Sequence, residues 1–160
     1  MNTKLAFFDM DGTLSAPVYI DEGKPVIGFD ANGWIRYCNQ EKRNTYSLCK
    51  VVQPILDFAK KLKSEGYTLH ILTVALCDNE KEAKWQFIED NNLYDVFDSC
   101  IFASTDDEKL TIMAHHAEVN NIPVSDCMLV EDLYYTLLKA HIAGFQAVHI
   151  SNILTDTITC

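Results

Sequence analysis

The most constraining feature of this chain is a rhythm in which short apolar runs alternate with longer stretches of helical periodicity. Apolar runs occupy residues 4–8, 68–74, 100–103, 127–130 and 145–150, and each is bounded by polar or glycine-containing segments. Runs this short, rich in Val, Ile, Leu and Phe and without alternation, fit strands buried on both faces. Between them, residues 51–64 place Val51, Val52, Ile55, Leu56, Ala59 and Leu62 on one side of a helix, with lysines opposite and Gly66 beyond the end. Residues 79–91 put Ala83, Phe87 and Ile88 on one face. Residues 107–120 begin with acids, which suit a helix N-terminus, and residues 133–143 stop at Gly144. Strand followed by helix, repeated, predicts an α/β chain: a Rossmann-like, parallel, five-stranded sheet with helices on both faces. In such sheets ligands sit beyond the carboxyl ends of the strands.

One segment departs from the rhythm. Residues 15–50 separate the first strand from its helix. Within them, an apolar run at 26–29 is followed by Asp30-Ala31-Asn32-Gly33 and then by a second run at 34–38. Asn-Gly between two such runs predicts a β-hairpin flap with its turn at residues 30–33. The segment is too short for a separate substrate domain. The expectation is therefore one α/β domain over 1–160, with a flap insertion at about 15–50.

Composition removes several functions. No apolar run approaches the roughly 18 residues of a membrane span, and the first eight residues are too short for a secretory signal. With 23 Asp+Glu against 13 Lys+Arg, the net charge is −10. That balance disfavours coating of nucleic acid or attraction to an anionic membrane. The six cysteines form no C-x-x-C pair, so they read as buried thiols of a cytoplasmic protein rather than disulfides or zinc ligands. His115 and His116 are adjacent and would point about 100° apart on a helix, so they do not form a metal pair.

The residues that follow the strands carry the chemistry. The first strand runs into Asp9 and Asp11, the second ends with Thr73, the third leads to Lys109, and the fourth ends at Glu131 and Asp132. Carboxylates gathered at one sheet edge repel one another unless a cation neutralises them. Oxygen-only donors select a hard cation, with Mg²⁺ expected. A hydroxyl and an ammonium beside that cation suit an anion undergoing phosphoryl transfer.

The segment LAFFDMDGTLS resembles the first motif of the haloacid dehalogenase superfamily in its phosphatase form: an apolar strand, then Asp9, Met10, Asp11, Gly12, Thr13 and Leu14. Thr73 in LHILTVA matches the second motif, Lys109 in DDEKLTIM the third, and Glu131-Asp132 in LVED the fourth in its Glu-Asp variant. The order is right, and the likeness spans nearly the whole chain apart from the flap. Where many members carry a further acid four positions after the metal-binding Asp, this chain has Thr136. Lys81 and Lys84 lie in a different helix and read as solvated.

The resemblance implies a Mg²⁺-dependent phosphatase that hydrolyses a phosphate monoester through an aspartyl-phosphate. Asp9 would be the nucleophile. Asp11 would be general acid and then base, and would offer its backbone carbonyl to the metal. Thr73 would donate to a phosphoryl oxygen, Lys109 would neutralise the transition-state charge, and Asp132, with or without Glu131, would anchor Mg²⁺. An acid at Asp11 favours ester hydrolysis over dehalogenation, because a halide leaves without a proton. The expected partner is a phosphorylated substrate, most simply a small molecule, with a macromolecule also compatible; the sequence does not reveal the oligomeric state. Trp34, Arg36, Tyr37, Lys42 and Arg43 would lie in or after the hairpin. They either hold an anionic group or pack the flap and face solvent. Two other readings use the same residues. One is a non-catalytic binding protein with this fold. The other is a receiver-type phosphoacceptor domain, whose acceptor Asp closes a later, central strand.

Overall fold

A computed structural model describes residues 4–27, 31–39 and 44–156. Five strands form one parallel sheet: β1 (Lys4–Phe8), β6 (Tyr67–Val74), β7 (Ser99–Ala103), β8 (Cys127–Glu131) and β9 (Gln146–His149), in the spatial order β7-β6-β1-β8-β9. All four pairings are parallel. The predicted fold class is therefore found, and each of the five apolar runs supplies one strand. β1 lies at the centre. The chain builds outward from it through β6 to β7, then crosses to β8 and β9 on the other side.

Pleating divides each central strand between two cores. Ala6 and Phe8 of β1, with Met128 and Val130 of β8, face one side. That side is covered by α2 (Gln53–Ser64) through Ile55, Leu56, Ala59 and Leu62, and by Ile153 of α6 (Ile150–Asp156). Leu5, Phe7, Cys127 and Leu129 face the opposite side. There α4 (Asp106–Val119) contributes Met113 and Ala117, and α5 (Tyr134–Ile142) contributes Leu137 and Ala140. Full coverage of both faces is the reason the strands read as continuous apolar runs. α6 was not anticipated: Ile150, assigned by sequence to the last strand, begins a helix instead. Among the described residues no helix is long and apolar enough to cross a membrane. The five described cysteines, Cys38, Cys49, Cys77, Cys100 and Cys127, are free thiols.

The segment after β1 corrects the expected hairpin. A hairpin is present, but it pairs β3 (Val18–Asp21) with β4 (Lys24–Ile27). Its turn is Glu22-Gly23, both at positive φ (48° and 79°), as a two-residue turn of the I′ type requires. Of the residues assigned to the turn and second strand, 31–38 form a helix, α1 (Ala31–Cys38), and Asp30 lies outside the described residues. Asn32 and Gly33 sit in its first turn. The deciding pattern is helical: Trp34, Tyr37 and Cys38 are buried at i, i+3 and i+4, while Ile35 and Arg36 are exposed. Short strands β2 (Ser15–Ala16) and β5 (Lys50–Val51) pair antiparallel and bring both ends of the insertion together. The N–H of Val52 closes the junction on the Leu14 carbonyl at 2.9 Å.

The insertion packs down rather than standing open. Tyr19, Trp34, Tyr37 and Tyr46 are all buried. The Trp34 ring meets those of Tyr19, Tyr37 and Tyr46 at centroid distances of 5.6, 5.8 and 5.5 Å. Aromatic pairs at these separations add to what their buried area contributes. Trp34 thus belongs to the core and cannot stack on a ligand. Arg36 faces solvent. Lys42 and Arg43 lie outside the described residues.

Candidate active site

The site lies at the carboxyl end of β1, where the chain's outward growth reverses direction across the sheet. A cavity of about 360 Å³ is lined there by Asp9, Asp11, Gly12, Thr73, Lys109 and Asp132, with Ile35, Leu76 and Leu133 among its apolar walls. The predicted residues from four separate segments are thus brought together. Glu131 stands behind them, fully buried at the end of β8.

Asp9 follows β1 directly, and its N–H donates to the Val130 carbonyl at 3.0 Å, which ties it to β8. The chain then turns tightly: the N–H of Ser15 reaches back to the Met10 carbonyl at 2.8 Å, and that of Gly12 to the Ser15 carbonyl at 3.0 Å. Gly12 holds φ at +79°, and a Cβ placed on it would lie 2.4 Å from Oδ2 of Asp132. Only glycine gives both that backbone conformation and that clearance.

Lys109 sits on the first turn of α4, where it extends the buried stripe of Met113 and Ala117 one step toward the site. Its Nζ is 2.8 Å from Asp9 Oδ1, 2.9 Å from Glu131 Oε2 and 2.9 Å from Asp106 Oδ1. The other oxygen of Glu131 accepts from the N–H groups of Asp132 and Leu133 at 3.2 and 3.4 Å. The backbone carbonyl of Asp132 accepts from His149 Nε2 at 3.0 Å.

Oxygens of Asp9, Glu131 and Asp132 all lie within 4.8 Å of one another. Burial, reinforced by the Glu131 charge, pushes the Asp9 carboxyl up to about 7 against the opposing pull of Lys109. Burial likewise pushes Glu131 up to about 7 and raises Asp132. Burial opposes charge on Lys109, but Asp9 and Glu131 outweigh it and hold the ammonium well above its ordinary range. One lysine therefore does not neutralise this cluster. Oδ1 of Asp132 is buried and has no hydrogen-bond partner. A tight group of oxygen-only donors with an unpartnered buried carboxylate oxygen fits a hard divalent cation.

On the other side of the cavity, the structure corrects one expectation. Lys84 is not solvated: its side chain is fully buried. Its Nζ lies 2.7 Å from Asp11 Oδ2 and 3.4 Å from Glu80 Oε1, and donates to Thr73 Oγ1 at 2.9 Å and to the Val74 carbonyl. Asp11 Oδ1 accepts from the Tyr46 hydroxyl. Burial opposes the Lys84 charge, but Asp11 and Glu80 hold it raised. Glu80 in turn accepts from Trp34 Nε1 at 3.1 Å and from the Leu76 N–H at 2.7 Å. Sequence reasoning found Asp11 and Thr73 but missed Lys84, Glu80 and Tyr46. A trace was legible on α3 (Asp78–Asp90), where Glu80 and Lys84 fall at helical spacing with Ala83, Phe87 and Ile88 on one buried face. Lys81 points elsewhere, its Nζ 5.2 Å from the Trp85 ring centroid and 5.0 Å from that of Phe102.

No family model matches the chain, and no curated protein matches it. Solved structures do. A haloacid dehalogenase-superfamily hydrolase from Ehrlichia chaffeensis superposes with a TM-score of 0.57 at 18% identity, over 99% of this chain and 100% of that one. This is the haloacid dehalogenase fold. Within that fold, a phosphoserine phosphatase captured as a phospho-aspartyl intermediate analogue matches with a TM-score of 0.60 at 12% identity, over 98% and 99% of the two chains. The 3-deoxy-D-manno-octulosonate 8-phosphate phosphatase of Moraxella catarrhalis, solved with magnesium, phosphate and KDO, matches with a TM-score of 0.52 at 22% identity, over 92% of this chain and 67% of that one. At these identities the likeness concerns the fold. In this haloacid dehalogenase fold, Asp9 and Asp11 stand on the loop after the central strand, with Thr73 and Glu131-Asp132 at the ends of its two neighbours.

Proposed function

We propose that this protein is a Mg²⁺-dependent phosphatase that hydrolyses the phosphate monoester of a small molecule through an aspartyl-phosphate. The observation that carries this reading is the arrangement around Asp9. Its carboxylate is anchored by Lys109 at 2.8 Å, stands within 4.8 Å of an unsatisfied acidic cluster, and opens onto the same cavity as Asp11. Burial and the neighbouring Glu131 charge raise that carboxyl to about 7, and shifts of this kind gather where carboxylates are grouped for chemistry.

Asp9, Asp132 and the backbone carbonyl of Asp11 would hold the cation, with Glu131 beside them. Bound there, Mg²⁺ would keep Asp9 ionised and offset the repulsion between carboxylate and phosphate. Lys109 holds Asp9 in place and supplies positive charge on the side where the phosphoryl oxygens gather. An oxygen of Asp9 attacks phosphorus, and the bond from phosphorus to the leaving oxygen breaks as Asp11 delivers a proton to that oxygen. Water then attacks the phosphorus of the aspartyl-phosphate, Asp11 takes its proton, and the bond to Asp9 breaks to release inorganic phosphate. Thr73 lines the cavity at the end of β6, its oxygen already held by Lys84, and would donate to a phosphoryl oxygen. Lysine, threonine and carboxylates fixed before substrate arrives need no reorganisation during the reaction.

Release of inorganic phosphate from a panel of phosphorylated metabolites, with and without Mg²⁺, tests this reading in wild type beside Asp9→Asn. Turnover is expected only with Mg²⁺ and only in wild type. Equal turnover by both proteins would overturn the nucleophile, and no turnover by either would favour a non-catalytic binding protein.

A further inference from the structure

We propose that Tyr46 and Lys84 are positioning residues for Asp11, so that the insertion between β1 and α2 is part of the catalytic apparatus and not only a cover. This rests on the phosphatase reading above and assigns it two residues from outside the four motifs.

Both carboxylate oxygens of Asp11 are engaged, and by different parts of the chain. Lys84 approaches Oδ2 at 2.7 Å from α3, while the Tyr46 hydroxyl donates to Oδ1 from the loop that closes the insertion. Each partner is itself immobilised. Lys84 Nζ is shared with Thr73 Oγ1, the Val74 carbonyl and Glu80, and Glu80 is held by the Trp34 indole and the Leu76 N–H. The Tyr46 ring is wedged between those of Trp34 and Phe87, at centroid distances of 5.5 and 5.7 Å. Its N–H donates to Asn44 Oδ1 at 3.0 Å, and the loop is pinned where β5 pairs with β2. Asp11 therefore cannot rotate its carboxylate without losing a contact to a residue that cannot follow it. Proton transfer to a leaving oxygen depends steeply on heavy-atom placement. A two-point hold on the transferring group is what such a step requires, and its two points come from α3 and the insertion.

The test compares two substrates. Leaving of an alkyl alkoxide needs the proton from Asp11, whereas p-nitrophenolate departs without one. kcat/KM covers only the steps through departure of the leaving group, so later use of Asp11 as a base does not enter it. In Tyr46→Phe, which keeps the ring, kcat/KM for an alkyl phosphate is expected to fall by about tenfold to a hundredfold, while that for p-nitrophenyl phosphate falls by less than about threefold. Lys84→Arg retains the charge but changes its geometry and is expected to show the same selectivity. Asp11→Asn sets the largest selective loss, and calorimetric titration with Mg²⁺ is expected to give the wild-type affinity in Tyr46→Phe. Equal losses on both substrates, or no loss on either, would overturn the positioning role; the phosphatase reading then stands if Asp9→Asn abolishes turnover of both. Failure of the wild type to turn over either ester overturns both proposals.

Discussion

The two walls of the cavity each hold a buried lysine, yet they solve the charge problem in opposite ways. On the α3 side, Lys84 faces Asp11 and Glu80, and the remaining acceptors are met by Tyr46, Trp34 and the Leu76 N–H. There every carboxylate oxygen of Asp11 and Glu80 has a partner within the protein. On the α4 side, Lys109 is shared among Asp9, Asp106 and Glu131, and Asp132 stands close by with an unpartnered oxygen. That wall is left short of positive charge. A fully paired network is rigid and suits a group that must be aimed; an unbalanced one stores repulsion and suits a group that must receive a cation and then an anion. The chain's acidity, −10 overall, is thus partly a local device, concentrated where Asp9, Glu131 and Asp132 meet.

The largest expected difference between the walls comes from Asp9→Asn. Activity should fall by about 10⁴-fold or more, because an amide at that position cannot attack phosphorus to form the aspartyl-phosphate. At the same time the metal-free protein should melt at a higher temperature at pH 8, since the change removes one repelling charge. A lower melting temperature there would show that the α4 wall is not strained.

Truncating either lysine should cost about 3–5 kcal/mol of stability, the usual penalty for stranding a buried charge. Lys84→Met strands Asp11 and Glu80, and Lys109→Met strands Asp9 and Glu131. Chemical denaturation at pH 5.5 and pH 8 separates them. The Lys109→Met loss should shrink at the lower pH, where Asp9 and Glu131 can take up protons.

The same asymmetry fixes a pH dependence. Asp9 and Glu131 rise from ordinary values of 3.8 and 4.5 to about 7 on folding. A carboxyl raised by folding favours the folded state while it is protonated. Its contribution is full below the unfolded value and lost as pH climbs through the folded one. The metal-free protein should therefore lose stability between about pH 4 and pH 7 and level off above. Mg²⁺ should raise the melting temperature more at pH 8 than at pH 5.5. A Mg²⁺ effect independent of pH would place the cation away from these carboxylates.

The smallest effect expected is at the turn joining the walls. Gly12→Ala forces a side chain into positive φ and against Asp132, and should cost about 1–3 kcal/mol. It should also weaken Mg²⁺ binding, as calorimetric titration would show. An unchanged affinity would mean that Asp132 can move aside.

Local patterns made much of this legible in advance. Five apolar runs became five strands because burial on both faces leaves no alternation to hide them. Asp9, Asp11, Thr73, Lys109, Glu131 and Asp132 were found because a parallel sheet delivers whatever follows each strand to one edge. The insertion misled at Asn32-Gly33, where a common hairpin dipeptide opens a helix. The i, i+3, i+4 burial of Trp34, Tyr37 and Cys38 outweighs the turn preference of two residues. Lys84 misled for a related reason. A lysine on an amphipathic helix reads as solvated unless its partners are known; Glu80 lies one turn back, but Thr73 and Val74 are on β6 and Asp11 is on the loop after β1.

By itself, then, the sequence determined the strand–helix alternation, the sheet edge at which chemistry could occur and the carboxylates that stand there, because these follow from periodicities of a few residues. Only the tertiary structure decided that Lys84 serves Asp11, that Tyr46 reaches Asp11, and that the carboxylate oxygens of one wall are all partnered while the other keeps an unpartnered one. Those outcomes depend on desolvation and on contacts between segments that approach one another only after the sheet is assembled.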